Sequence, residues 1–583
     1  PESTRTTGGG ASIVANFWKL ASLWWAVQDR RPADADADFH SASFSHILPP
    51  PLLPPPLLPS PSPPSPLLPS PLLPSPSKAT SSNLDVNTII LNIPSFSTPA
   101  ICEAFGVADE ERPFVLLDSA AQGRFTIIGC SDSQSIRITY FVKDRFVSVH
   151  RGGITSQIPL EGSDVWTWLS RFMSSRRASG NPDIPFWGGL VGYLSYELGV
   201  DALDVPLRRS NPPQHADVNL LFVERSIVVD TLQGKTYVQS LVQGDPWLSS
   251  ASTLIHETYK HHLSSKSSAR SRLDLKIIHD TPTLLLPAKE SYISRIKEAQ
   301  EHLSAGNSYE ICLTTRSKLS FLEPGPSSAL TKPISSWNRY NRLRTTNPAP
   351  HAAFMRLHPT TIISSSPERF LSYSRGSNPL YQMRPIKGTV KKGGGVNRAV
   401  AEARLVGCVK EVAENLMIVD LIRHDLHGAV GSDVQVKKFC VVEEYETVFQ
   451  LVSVIEARAS LETANEALDF GWGVLRKCLP PGSMTGAPKK RSVEILQSLE
   501  TDERGVYSGV HGYWCVGGGG DWAVTIRTCF KYDAEVPSRD NQSSRCEDWV
   551  LGAGGAITAL SDPEAEWDEM VTKLQSVLGA FSA

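Results

Sequence analysis

Between His46 and Ser77 the chain is almost entirely Pro, Leu and Ser, and no other feature limits so strongly what it can fold into. Proline fixes φ and lacks an amide proton, so neither a helix nor a central strand can run through such a stretch, and extended polyproline II is expected. The repeats at Pro51 to Pro54 and Pro66 to Pro69 read Pro-Leu-Leu-Pro. That pattern suits a semi-rigid spacer, or a ligand for an SH3 or WW groove. Any large core must therefore be built after this run. In a chain of 583 residues that is 41% apolar, the part from Leu84 onward is long enough to bury one.

The formal net charge is −3, and no basic run with interleaved aromatics occurs, which argues against a nucleic-acid partner held by phosphate neutralisation. Nine cysteines are scattered without a C-x-x-C pair, so no zinc or redox motif is written, and an odd number fits reduced thiols and a cytoplasmic location. The apolar stretch from Ile13 to Val27 is broken by Asn16 and Lys19 and is too short to span a bilayer, so no membrane partner is expected. What remains is chemistry on a small molecule.

Short apolar stretches separated by turns, such as Phe114 to Leu117, Phe125 to Ile128, Ile136 to Val142, Leu190 to Leu194, Leu220 to Val223 and Ser226 to Val229, predict a β-rich region over 84–260. A Ser/Lys/Arg-rich stretch predicts an exposed linker over 261–283. The remainder, 284–583, mixes helical patterns at 291–305, 397–424, 463–478, 488–500 and 563–580 with strands at 308–319, 352–358, 509–516, 521–531 and 548–552. One α+β catalytic unit follows from that mixture.

Within that unit Lys387 lies in Arg384-Pro385-Ile386-Lys387-Gly388-Thr389, where proline stiffens the chain, glycine permits close approach of a ligand, and Arg384 is a second cation that lowers an amine's pKa. A neutral lysine is a nucleophile. On the helix through Glu414, apolar Val409, Ala413, Leu416 and Ile418 or Val419 face inward, with Glu414 at their edge. A second helix opens at Asp562 with Glu566 and Glu569 on one face, either complementing the helix dipole or, with Glu414, offering the oxygen ligands that Mg²⁺ prefers. Arg527, placed on a strand face with Ala523 and Thr525, suits a ligand carboxylate or a rim ion pair. The run Gly552-Ala553-Gly554-Gly555 can leave amides free for an anion or can equally serve tight packing, and the Pro481 to Pro488 loop, with Ser483, feeds a helix N-terminus that attracts an anion. Together these features predict a ligand with at least two carboxylates.

The segments Ser364 to Phe370, Arg384 to Thr389, Ala413 to Asp425, Pro481 to Lys489, Thr525 to Thr528 and Gly552 to Gly555, in this order, resemble the chorismate-utilising enzymes over roughly Leu84 to Ala583. The resemblance implies an α+β fold of two packed, mainly antiparallel β-sheets flanked by helices. Within the family, anthranilate synthases resemble Pro-Ile-Ala-Gly-Thr at the lysine motif; this chain is similar to the 4-amino-4-deoxychorismate synthases, which carry Pro-Ile-Lys-Gly-Thr. That likeness implies Mg²⁺ held by Glu414, Glu566 and Glu569. It also implies Arg527 and the Gly552, Gly554 and Gly555 amides on the enolpyruvyl carboxylate, with Gly388, Thr389, Ser483, Gln450 and Glu310 lining the substrate. Lys387 would add to ring carbon 2 while Glu368 protonates the departing 4-hydroxyl. Chorismate, ammonia from a glutaminase domain or subunit, and a downstream lyase are the implied partners. Two positions depart from the family pattern: Glu310 stands where a Gln or Lys is common, and Gln450 where many members have His.

Residues 1–30, opening Pro1-Glu2-Ser3 with a helical pattern through Phe17, Leu20, Leu23 and Trp24, resemble the C-terminal end of a class I glutamine amidotransferase, with 31–83 as linker. Leu116-Leu117-Asp118-Ser119 resembles the element that binds tryptophan in related enzymes. The rival readings are an anthranilate synthase component and a non-catalytic scaffold displaying the Pro-rich segment.

Overall fold

A computed structural model describes residues 84–93, 97–120, 123–208, 213–267, 282–322, 334–431, 434–458, 470–533 and 546–581. The expectations for 1–30, for the Pro-rich linker and for 463–469 lie outside the described residues. Two 12-stranded antiparallel sheets face each other, with helices outside them, as the α+β expectation requires.

The first sheet runs from Ile386–Lys391 through Val448–Arg458, Leu380–Met383, Arg369–Tyr373, Gly520–Val524 and Val510–Cys515 to Gly189–Leu194 and Val218–Val223. The second runs from Thr283–Leu285 through Glu310–Leu322, Cys546–Ile557, Thr528–Tyr532, Thr360–Ser366 and His351–Leu357 to Phe114–Asp118 and beyond. Strands from before and after residue 260 are therefore interleaved in both sheets, and the boundary expected between 84–260 and 284–583 is not a structural one. Residues of both stretches also share the buried clusters, one of which stacks Trp472 on Trp514 at 4.3 Å between ring centroids. The expected linker begins later than 261, because the helix Trp247–Ser267 continues through its first residues.

Two connections between the sheets decide where chemistry can occur. The chain leaves the second sheet after Ser366 and joins the first at Arg369, and it returns from the first after Val524 to the second at Thr528. These crossings lie side by side: Val524 donates its N–H to the Glu368 carbonyl at 3.0 Å, and Ser365 donates to the Arg527 carbonyl at 3.0 Å. The single strand expected over 521–531 is thus two strands in different sheets. Arg527 is not on the face of Ala523 and Thr525 but at the break, with φ +52°, a left-handed conformation that a non-glycine residue adopts only under local constraint.

Helices follow their local signals. The pattern at 397–424 is divided into Arg398–Leu405 and Val409–Val430, with Gly407 between them at a point where a Cβ would stand 2.2 Å from the Ala403 carbonyl oxygen. The second of these stops at Gly431, left-handed at φ +64°. Val409 is exposed rather than inward, whereas Glu414 is itself buried. Asp562 caps Pro563–Leu578 by accepting the Ala565 N–H at 2.8 Å, with Pro at the first turn.

Candidate active site

Lys387 lies on an edge strand, Ile386–Lys391, and the strand is bulged between Lys387 and Thr389: Lys387 faces Leu451 and Thr389 faces Gln450, with Gly388 the extra residue at φ +78°. A Cβ on Gly388 would meet Glu411 Oε2 at 2.6 Å and Leu405 at 2.9 Å. The close approach expected here is therefore made by the neighbouring helices, and Gly388 serves the bulge. Gln450 is buried and donates to the Thr389 hydroxyl at 3.3 Å.

The bulge sends the Lys387 ammonium inward to Glu310 Oε1 at 2.6 Å, with the Glu310 side chain 0% exposed. Burial alone would depress the amine's pKa, but Glu310, then Glu414, outweighs it and the net shift is upward. The expectation that Arg384 makes this amine neutral is overturned: the Arg384 guanidinium is engaged by both oxygens of Glu443 at 2.9 and 2.7 Å. In the resting molecule Lys387 is an ammonium.

Glu368, on the first crossing, is buried, and desolvation pushes its carboxyl up to about 7 against a hydrogen bond from Ser483 and the field of Lys387. Ser483 is presented by the short 3₁₀ turn Gly482–Met484. The helix start beyond it is not an open anion site, because Lys489 turns in to Asp425 at 2.5 Å and to the Cys478 carbonyl at 2.7 Å.

Arg527 donates to Ser576 at 2.7 Å, and burial lowers its pKa against the opposing fields of Tyr507 and Glu569. The glycine strand beside it divides its amides. Gly554 accepts from Lys573 at 2.7 Å while the facing Thr314 turns its N–H to Glu500 at 2.7 Å. That pair is therefore non-hydrogen-bonded within the ladder, so the amides of Gly552 and Gly554 point to the side of Thr528–Tyr532; the pairing of Cys529 with Leu551 takes up the Gly552 amide at Thr528, and Gly554 lies beyond the last pair. Gly555, one residue on, turns its amide to the Leu313 strand instead; its small size makes room for Glu566, whose Oε2 would stand 2.6 Å from a Cβ there.

Glu414 and Glu566 converge on one cation, Lys410 Nζ, at 3.8 and 3.4 Å. Desolvation pushes the Glu414 carboxyl up to about 7, and its buried Oε1 has no hydrogen-bond partner among the described residues. Glu569 is turned to Lys573 at 2.7 Å; burial would raise its carboxyl, but Lys573, then Lys410 and Lys387, bring it down. Among the described residues no three acids stand as a closed metal cluster. Even so, an oxygen-only pair already spanning a cation, with one orphaned buried oxygen, fits a hard divalent ion. The sequence reading missed both lysines, although Lys410 with Glu414 and Glu569 with Lys573 have the i,i+4 spacing that pairs side chains on a helix. It also missed Arg504, buried and bonded to Glu500, to the Met484 carbonyl at 2.6 Å and to the Cys312 carbonyl at 2.8 Å, which ties the Ser483 turn to the Glu310 strand. Asp118, in the segment that resembles a tryptophan element, is taken up by Arg344 at 2.5 Å, Tyr340 at 2.9 Å and Thr126 at 3.2 Å.

Residues 113–579 match the chorismate binding enzyme family, and the chain belongs to it. Its curated relatives include the aminodeoxychorismate synthase of Saccharomyces cerevisiae, 38% identical over 72% of this chain and 52% of the relative. Aminodeoxychorismate synthase component 1 of Salmonella typhimurium is 31% identical over 68% of this chain and 78% of the relative. The chain spans about half the length of the longer relatives it matches. The fold is shared with anthranilate synthase component I of Streptococcus pneumoniae, at a TM-score of 0.57 and 22% identity over 78% of this chain and 92% of that one. Among the described residues no helix is long and apolar enough to cross a membrane.

Proposed function

We propose that this chain is the synthase part of an aminodeoxychorismate synthase. It aminates chorismate at ring carbon 4 with ammonia from a glutaminase domain or subunit, in the cytoplasm, and passes 4-amino-4-deoxychorismate to a lyase that releases 4-aminobenzoate for folate. The observation that carries this reading is Lys387: the lysine of the Pro-Ile-Lys-Gly-Thr motif is directed by a bulge into a buried site beside Glu310, in the field of Glu368 and Glu414.

In this reading Arg527 and the Gly554 amide bind one carboxylate of the substrate, and Ser483 orients Glu368. Mg²⁺, held by Glu414 and Glu566 with Glu569 released from Lys573, would neutralise and orient the ring carboxylate. Lys387 attacks carbon 2, the ring double bonds shift, and Glu368 gives its proton to the 4-hydroxyl, which leaves as water. Ammonia then adds at carbon 4, the double bonds shift back, and the lysine departs with its electron pair. A carboxyl with pKa about 7 is suited to that proton donation at neutral pH.

The test is incubation of the purified chain with chorismate, Mg²⁺ and an ammonium salt, with and without an added lyase. Appearance of 4-aminobenzoate only with the lyase supports the reading; fluorescent anthranilate formed without it assigns the chain to the other amination, and no turnover at all returns it to the scaffold reading.

A further inference from the structure

The resting site holds its nucleophile in the wrong protonation state, and the surroundings show where the proton can go. Lys387 Nζ has Glu310 Oε1 at 2.6 Å; the fields of Glu310, Glu414 and Cys312 act on it, it is also coupled to Glu368, Glu411 and Glu569, and Lys410 and Glu411 act in turn on Glu414. Among the described residues only Glu310 lies within ion-pair distance of the amine. Its second oxygen, Oε2, is buried and has no hydrogen-bond partner among the described residues. Glu310 is also fixed in place. The Ser308 hydroxyl donates to its carbonyl at 3.0 Å, its strand pairs with Gly486–Ala487, and Gly486 lies so close that a Cβ there would stand 2.0 Å from the Glu310 carbonyl oxygen. A carboxylate so buried and so close can exchange a proton with the amine without moving.

Resting on the covalent reading of Lys387, we infer that Glu310 is a catalytic base for that residue. It takes one proton from the ammonium across the 2.6 Å contact, leaving a neutral amine and a neutral carboxylic acid. The freed lone pair forms the bond to ring carbon 2. When ammonia at carbon 4 expels the lysine, the amine recovers its proton from Glu310 and the ion pair is restored. The exchange is balanced within the pair, and no water need enter. Transfer replaces two buried charges by two neutral groups, which a site closed over substrate favours more than an open one. The departure of Glu310 from the Gln or Lys common in the family thereby acquires a role.

The experiment measures formation of the lysine adduct in single turnover, with chorismate and Mg²⁺ but no ammonia, for wild type, Glu310→Gln, Glu310→Asp and Lys387→Ala. An amide cannot take the proton, so in Glu310→Gln the rate at neutral pH falls about a hundredfold or more, the scale of one acid–base group. Its ratio to the wild-type rate at the same pH then climbs about tenfold per pH unit as hydroxide takes over the deprotonation, the ionisation of Glu368 falling on both alike. Glu310→Asp keeps a base and shows no such climb, which gives a second reading should the amide disturb folding. If Glu310 were only a counter-ion, its neutralisation would release the amine, and Glu310→Gln would form adduct as fast as wild type or faster; that result, or a climbing profile in Glu310→Asp, overturns the inference. Wild-type product formation by Lys387→Ala would instead overturn the reading of Lys387 itself.

Discussion

Removing the Ser483 hydroxyl should move the pH limit of catalysis upward, and the direction follows from the surroundings of Glu368. Burial raises that carboxyl to about 7, while Ser483 donates a hydrogen bond to its ionised form and so pulls it down. A hydrogen bond to a charged group contributes about 1.5–3 kcal/mol, and about 1.4 kcal/mol corresponds to one pH unit. Ser483→Ala should therefore carry the protonated form of Glu368 about one pH unit or more higher. The assay is kcat/KM for chorismate from pH 6 to 9.5, with total ammonium adjusted so that free ammonia stays constant. Wild type should lose activity about tenfold per pH unit above about 7 as the acid ionises. The variant should follow the same slope, displaced upward, even if its plateau is lower. A falling limb that stays in place, or moves down, would refute the assignment of Glu368 as the proton donor.

Glu368→Gln should abolish adduct formation yet stabilise the fold. Its carboxyl is raised in the native state, so the stability it contributes is full below the ordinary glutamate value of about 4.5 and is lost as pH rises through about 7. Urea unfolding should show no advantage for the variant at pH 4.5 and one approaching about 3 kcal/mol at pH 8. Gly388→Ala forces a side chain into a left-handed bulge against Glu411, and should cost about 1–2 kcal/mol from the backbone alone, read as a lower melting temperature. Arg504→Met leaves Glu500 buried without its partner and should cost about 3–5 kcal/mol in urea unfolding. Mg²⁺ should raise the melting temperature of wild type but not of a Glu414→Gln/Glu566→Gln double variant, because binding to the native state alone stabilises it.

The sequence was most legible where the chemistry is local. Alternating apolar stretches marked strands such as Phe114–Asp118 and Val510–Cys515, and the Asp562-Pro563 start marked the last helix within a residue or two. It was least legible where two distant segments constrain each other. Nothing in Trp522 to Thr528 announces a change of sheet; Arg527 is turned left-handed because a second crossing at Ser366 to Arg369 runs beside it. The same limit produced the error at Lys387. Arg384 is its neighbour in sequence, but Glu443 takes up that charge, and the group that controls the amine, Glu310, comes from the other sheet, 77 residues away along the chain. The acids of the candidate metal site were visible as helical spacings. Their lysine partners had the same spacing and were passed over, since a charge on a helix face usually means only solvation.

A bond between Lys387 and the substrate underlies every step of this mechanism, and intact-protein mass spectrometry after incubation with chorismate and Mg²⁺ in the absence of ammonia detects it. The expected result is a species heavier by one chorismate less one water, mapped to the peptide containing Lys387, lost on adding ammonium and absent from Lys387→Ala. Full turnover on adding ammonium, with no such species trapped beforehand and with Lys387→Ala as active as wild type, would contradict it.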